Sequence, residues 1–180
     1  MSDRQRYVAF LRAINVAGRF VKMDVLRDHF AALRFADVET FIASGNVLFS
    51  TASSDVTALE RRIERKLEQA LGYEVATFVR TPAELSMLVR DEPYQDREEG
   101  ATLWTGFLKS SVSPTVRDAL RALSSDAEEV DVRGREVFWL RRSLDMTALR
   151  TGAKIDKALG APVTFRNVTT VRKLAIRTSA

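Results

Sequence analysis

Apolar and polar residues follow two kinds of regular pattern along the chain, and each predicts one type of secondary structure. Runs rich in β-branched and aromatic residues predict strands, whereas apolar residues three or four positions apart predict one face of a helix. Residues 6–16 form the first such run and predict a largely buried strand. Helical spacing from Met23 to Leu33 then predicts a helix, with Asp24 in its first turn, where the helix dipole favours an acidic side chain.

Three more strands and a second helix are predicted in the first half by the same criteria. The strands cover residues 37–42, 46–49 and 74–80, and the helix covers residues 56–71. A turn at Ser44-Gly45 joins the second and third strands into a hairpin. The predicted order of elements is therefore βαββαβ.

The second half repeats this order after a short helix over residues 82–89 and an acidic, aperiodic segment over residues 91–100, which we interpret as a solvated loop. A hairpin around Gly134 corresponds to the hairpin at Gly45, which aligns residues 44–49 with residues 133–138. The predicted strands are 101–108, 129–132, 136–140 and 163–166, and the predicted helices are 114–123, 146–159 and 169–177.

We therefore predict an α+β fold of two ferredoxin-like βαββαβ units, formed by internal duplication in one compact body, with an extra C-terminal helix. The first unit with its linking helix would cover residues 1–90, and the second unit with the C-terminal helix would cover residues 91–180. Chance repetition of the element order is the alternative.

The amino-acid composition excludes several kinds of functional site. The 180 residues include no cysteine and one histidine, His29, which excludes disulfides, thiolate ligands, cysteine nucleophiles and any site that needs two imidazoles. The acidic segment 91–100 does not follow the spacing of a calcium-binding loop. We therefore expect no metal site and no cofactor.

The sequence also gives expectations about membrane association and the cellular compartment. No apolar run approaches the roughly 18 residues that span a bilayer. The segment Met1–Arg6 is polar and lacks the apolar region of a signal peptide. We therefore expect no membrane association and a cytoplasmic protein.

The net charge of +4 conceals an uneven distribution. Residues 1–36 carry a net charge of +4, residues 37–131 carry −8 and residues 132–180 carry +8. Basic ends are consistent with an anionic partner. Attraction between oppositely charged parts of one domain is the alternative.

Three polar segments lie at predicted strand ends. The first, Arg12–Lys22, combines small residues with Arg12, Arg19 and Lys22 ahead of a helix, an arrangement that can bind anions or form a tight turn. The second, Ser44–Asn46, suits a hairpin turn. A serine nucleophile needs an adjacent base, and nothing in the sequence places one beside Ser44. Catalysis by Ser44 is therefore not expected, and whether the protein is an enzyme stays open.

The third segment, Thr164–Leu174, places Arg166 at a strand end beside a helix N-terminus. Asn167 or Thr169 can cap that helix, and Arg166 could bind an anion or a carboxylate. Trp104 and Trp139 lie on predicted strands, and neither hairpin shows the aromatic pattern by which ferredoxin-like units bind RNA.

The chain resembles the bacterial domain-of-unknown-function family 1697 over nearly its whole length. The residues that carry the resemblance are Tyr7–Gly18, Val21–Met23, Leu26-Arg27, Ser44–Val47, Phe49, Thr164, Arg166-Asn167, Thr170-Val171 and Lys173-Leu174. The resemblance implies an uncharacterised protein with a pair of ferredoxin-like units and no established catalytic residues.

The resemblance also supplies motif positions as candidate ligand-binding residues. They are Arg12, Asn15, Gly18, Lys22, Ser44, Gly45, Asn46, Arg166, Asn167, Thr170 and Lys173. The chain departs from the family pattern at Ala13 and Ala17, where the family commonly has glycine, at Val168, where it commonly has an aromatic residue, and at residues 144–149.

These observations favour binding of an anionic small molecule or nucleotide at strand-end loops. Nucleic-acid binding through the basic ends is one alternative, and a protein–protein interaction module that uses exposed strand edges is another. Whether the chain is a monomer or a homodimer stays open.

Overall fold

The computed structural model describes residues 4–14, 18, 20–42, 45–142 and 147–179. Two compact units can be distinguished, Met1–Val89 together with Lys173–Ala180, and Arg90–Arg172. The ranges 1–90 and 91–180 stay a prediction. Within the described residues, none of the helices combines the length and the apolar character needed to cross a membrane.

The first unit contains, in chain order, β1 (Gln5–Leu11), α1 (Met23–Ala32), β2 (Ala36–Thr40), β3 (Asn46–Thr51), α2 (Val56–Leu71) and β4 (Thr77–Arg80). Its four strands form one antiparallel sheet in the spatial order β2-β3-β1-β4. The helix α3 (Pro82–Arg90) follows β4 along the chain.

The second unit repeats this arrangement with β5 (Thr102–Phe107), α4 (Pro114–Arg121), β6 (Glu128–Arg133), β7 (Glu136–Arg141), α5 (Thr147–Leu159) and β8 (Thr164–Asn167). Its four strands form a sheet in the order β6-β7-β5-β8. A further helix, α6 (Val168–Thr178), follows β8, so the predicted α+β class, the duplicated unit and the extra C-terminal helix are confirmed.

The first strand is shorter than predicted. It ends at Leu11 instead of residue 16, because Ala13 adopts a left-handed backbone conformation with φ +59°, which breaks the extended run. The fourth strand likewise begins at Thr77 instead of residue 74. The apolar residues predicted that these strands exist, but they carry no information about the backbone angle at which a strand ends.

Strand pairing shows how the two units correspond. Val47 of β3 lies opposite Ala9, and Val137 of β7 lies opposite Gly106. Both valines are fully buried and pack in the helix-covered cores of their units. The two valines therefore occupy equivalent positions.

The predicted alignment of Gly45 with Gly134 is wrong by one residue. The Gly45 carbonyl accepts a hydrogen bond from the Leu11 N–H at 2.8 Å, and the Arg135 carbonyl accepts one from the Leu108 N–H at 2.9 Å. Arg135 is therefore the counterpart of Gly45. A shift of one residue would turn the buried valines to the opposite face of the sheet, so burial enforces this register.

The strand β4 lies at an edge of the first sheet, and α2 provides hydrogen-bond acceptors for its outer side. Glu64 Oε1 accepts from the Thr77 N–H and Glu60 Oε1 accepts from the Val79 N–H, each at 2.9 Å. Glu60 is buried. Two glutamates one helical turn apart thus occupy the place of a neighbouring strand.

The acidic segment after α3 is not simply a solvated loop, because Glu92 within it is buried. Its carboxylate accepts from Arg97 NH1 at 2.9 Å and, through both oxygens, from Arg172 at 2.7 and 2.9 Å. This bidentate contact ties the beginning of the second unit to its last residue.

The last residues of the chain belong to the first unit. Arg177 of α6 pairs with Glu39 of β2, and its guanidinium lies 5.8 Å from the centroid of the Phe41 ring. Glu39 is also 3.5 Å from Arg6 of β1. The C-terminal segment thereby covers part of β2, the other edge strand of this sheet.

Asp131 of β6 is held by two arginines. Its Oδ1 lies 2.8 Å from Arg121 NH2, and its Oδ2 lies 3.2 Å from Arg133 Nε. Burial alone would raise the pKa of Asp131, but the hydrogen bonds from Arg121, from the Val132 N–H and from Arg133 outweigh burial and hold the pKa below its ordinary value.

Substitution of Glu60 tests the closure of the β4 edge. We expect Glu60→Ala to lower the free energy of unfolding by about 1–3 kcal/mol, because the buried Val79 N–H loses its acceptor. Glu60→Gln, which keeps an acceptor oxygen, should lose less. Urea denaturation measures both, and Glu68→Ala, an exposed glutamate of the same helix, is the matched control. Equal stability of Glu60→Ala and Glu68→Ala would contradict the closure.

Asp131 should make stability depend on pH in acid. The pKa of Asp131 is lower in the folded state than in the unfolded state. Its contribution to the free energy of unfolding is therefore complete above the ordinary carboxyl pKa and is lost as the pH falls through the pKa of the folded state. We expect Asp131→Asn to be less stable than wild type by about 1 kcal/mol or less at pH 7, with the difference vanishing near pH 2. Urea denaturation at both pH values, with Asp118→Asn as control, measures this. A difference that persists at low pH would argue against it.

Candidate functional site

Two of the three candidate segments meet where β1 ends. We call their described residues the β1-end surface, which comprises residues 12–14, 18, 20–22, 41–42 and 45–46. The chain leaves β1 at Leu11, whose N–H is bonded to Gly45, and the Arg12 N–H donates to the Ala76 carbonyl at 2.9 Å. Backbone pairing therefore brings the loop after β1 against the turn before β3.

Gly45 is required at this junction for two reasons. Its φ is +73°, a conformation that residues other than glycine rarely adopt. A Cβ atom at this position would also lie 3.2 Å from the Cβ atoms of Leu11 and Ile14. The absence of a side chain thus lets the turn pack directly on the end of β1.

Asn46 holds the turn from inside. Its side chain is fully buried, and Nδ2 donates to the Phe41 carbonyl at 3.0 Å. The Phe41 N–H donates back to the Asn46 carbonyl at 2.9 Å. This geometry favours a role in fixing the loop over direct contact with a ligand.

Basic and apolar side chains of the β1-end surface face solvent. Lys22 is exposed at the N-cap of α1, and Arg12 is half-buried. Phe20 is 79% exposed and Ile42 is 54% exposed. Sequence reasoning missed both apolar residues. The available signal was that Phe20 fits neither the strand pattern before it nor the helix pattern after it.

Arg166, in the third candidate segment, is mostly buried in the second unit. Its NH1 donates to the Phe165 carbonyl at 2.8 Å and to Thr164 Oγ1 at 2.9 Å. Burial lowers its pKa to about 10, so it remains charged at neutral pH.

Arg80 is the counterpart of Arg166 in the first unit. Arg80 lies opposite Val8 of β1, and its NH1 donates to the Val79 carbonyl at 3.0 Å. It is also fully buried. The shared geometry indicates that both arginines satisfy an outward-facing carbonyl of an edge strand, a structural role that the sequence did not reveal.

The other residues of the third segment have different surroundings. Asn167 Oδ1 accepts from the Thr169 N–H at 2.9 Å and so caps α6, as predicted. Thr170 is half-buried and Lys173 is exposed. Residues 166–170 belong to the second unit and Lys173 belongs to the first. Their convergence on one site with the other segments stays a prediction.

Three candidate ligand-binding residues remain to be described. Two of them, Asn15 and Ser44, lie outside the described residues. Gly18 is exposed with φ +80° and has open space where a Cβ would lie.

Within the described ranges, no cluster of three or more acidic or histidine side chains could hold a metal ion. The described side chains of the β1-end surface can donate hydrogen bonds and make apolar contacts, which is the chemistry of binding.

Comparison with known proteins gives a family and a fold. The family model described as "Protein of unknown function (DUF1697)" matches residues 4–138. The solved structure of the conserved bacterial protein SP0830 from Streptococcus pneumoniae is similar, with a TM-score of 0.77 and 22% identity over 98% of this chain and 99% of that one. At this identity the likeness shows the fold alone. A comparison with curated proteins found no match.

Ala13 offers a test of backbone strain at the β1-end surface. We expect Ala13→Gly to raise the free energy of unfolding by up to about 1 kcal/mol, because glycine adopts a positive φ without the steric cost that alanine has there. Ala153→Gly, at an exposed interior position of the helix α5, is the matched control and should lower stability by about 1 kcal/mol. Thermal and urea denaturation measure both, and a loss of stability in Ala13→Gly as large as the control's would refute the strain.

Proposed function

Because the chain belongs to the DUF1697 family of proteins of unknown function, we propose a function from the geometry of the β1-end surface. We propose that this surface binds an anionic small molecule with a planar apolar group, and that nucleotides are the class of ligand. The observation that carries the proposal is the exposed aromatic ring of Phe20 two residues from the exposed Lys22.

The two side chains supply complementary interactions. An exposed aromatic ring offers a face on which a nucleobase can stack. Lys22 stands at the N-terminus of α1, where the helix dipole and the N–H groups of the first turn favour a phosphate. The net charge of +4 over residues 1–36 would draw an anion to this part of the molecule.

The same pairing of an aromatic residue with basic residues would also suit single-stranded nucleic acid, which is the second candidate. The basic ends of the sequence support it. For either ligand the site of action we propose is the cytoplasm, an assignment supported by the lack of a sufficiently long apolar helix among the described residues.

Calorimetric titration with adenosine monophosphate, uridine monophosphate and adenosine tests the first candidate. We expect both nucleotides to bind, adenosine to bind more weakly because it lacks the phosphate, and Phe20→Ala and Lys22→Ala each to weaken binding about tenfold. Met87→Ala, which also removes an exposed apolar side chain, and Lys154→Ala, which also removes an exposed lysine, are the matched controls. Absence of binding, or equal affinity in all variants, would reject the proposal.

A single-stranded oligonucleotide separates the second candidate from the first. If a polymer is the ligand, its affinity should exceed that of the mononucleotides and fall steeply with added salt, because several phosphate contacts release counterions. An affinity that matches the mononucleotides with a weak salt dependence would favour the small molecule.

A further inference from the structure

Five residues form a polar and aromatic cluster on the helix-covered face of the second sheet, which we call the Trp corner. Thr102 and Trp104 of β5 lie opposite Arg141 and Trp139 of β7, and Glu128 of β6 also lies opposite Arg141. Residues two apart on a strand point to the same face, so the five side chains are neighbours. The Arg141 guanidinium stands 5.4 Å from the centroid of the Trp139 ring.

Glu128 is already engaged within this cluster. Its Oε1 accepts from Trp139 Nε1 at 3.2 Å, and its Oε2 accepts from the Thr151 hydroxyl of α5. Arg141 Nε lies 3.9 Å from Oε1, which balances the charge but is too long for a hydrogen bond. The carboxylate is therefore held by the protein itself.

Three other polar atoms of the Trp corner are buried without a hydrogen-bond partner among the residues that the structure describes. They are Thr102 Oγ1, Trp104 Nε1 and Arg141 Nε. Unpaired buried donors are costly and rare, so each calls for an explanation. The indole and guanidinium nitrogens can only donate, so the missing partner must be an acceptor.

The first unit serves as an internal comparison. Tyr7 and Phe49 occupy the positions of the two tryptophans, and they stack with ring centroids 5.7 Å apart. The Tyr7 hydroxyl lies 3.0 Å from both Gln5 Oε1 and the Ser53 carbonyl, so its polar atom is satisfied. At this corner of the sheet, the donors without a partner among the described residues are thus a property of the second unit and not of the fold.

We propose that the Trp corner binds a small oxyanion, a carboxylate or a phosphate, whose oxygens accept hydrogen bonds from Thr102, Trp104 and Arg141. All three groups can donate a hydrogen bond, and the oxygens of one oxyanion can accept several hydrogen bonds at once. Because both Glu128 oxygens already accept hydrogen bonds, the corner offers little to a cation. This site belongs to the second unit and does not depend on the function proposed for the β1-end surface.

Intrinsic fluorescence reads this site directly, because Trp104 and Trp139 are the only two tryptophans in the sequence. Sodium acetate and sodium phosphate are titrated separately, with sodium chloride added to hold the ionic strength constant. We expect a saturable change in fluorescence with one of the two anions, which identifies the carboxylate or the phosphate. A change that never saturates, or no change with either anion, would overturn the proposal.

Two isosteric substitutions on β5 provide the matched pair. Thr102→Val removes a donor of the Trp corner. Thr105→Val removes another buried hydroxyl that has no partner among the described residues and points to the opposite face of the same strand. Both variants should fold, since each replaces an unpaired hydroxyl with a methyl group of similar shape. We expect Thr102→Val to weaken binding of the anion about tenfold and Thr105→Val to leave it unchanged. Equal affinities in the two variants would refute the site.

Discussion

The edge strand β4 of the first sheet has outward-facing N–H and C=O groups without a strand partner, and side chains form hydrogen bonds with them. On β4, Glu60 and Glu64 accept from the N–H groups while Arg80 donates to a carbonyl. These contacts fix α2 against the edge strand and stop the sheet at four strands. The position of β4, and with it the end of β1 opposite Thr77, depends on them.

The two units share one sheet topology but differ in the side chains that occupy equivalent positions. In the first unit the helix-covered corner of the sheet is filled by stacked aromatic rings, and the exposed chemistry lies where β1 ends. In the second unit the equivalent corner holds donors around Trp104 that have no partner among the described residues. Equivalent positions of the two sheets therefore carry different side-chain chemistry.

Periodicity in the sequence predicted the order of the elements and the fold class, because burial of one face imposes a repeat that is visible in the residues. It did not predict where β1 stops or how the second hairpin aligns, since both depend on backbone angles and pairing register, for which residue type is a weak guide. The burial of Glu92 and Arg166 was also out of reach, because their partners, such as Arg172 for Glu92, are known only after folding. The sequence correctly placed Arg166 near the end of a strand and Asn167 at the cap of the last helix, whereas the role of the three candidate segments in binding stays a prediction.

The first unit is discontinuous in sequence, because Lys173–Ala180 belong to it and the whole second unit is inserted before them. During synthesis, β2 would therefore lack its contact with Arg177 until the ribosome had made the chain as far as that residue, a delay on the order of ten seconds at ordinary elongation rates. The β2 edge of a chain with this architecture is therefore exposed to misassociation for longer than it would be if the first unit were continuous in sequence.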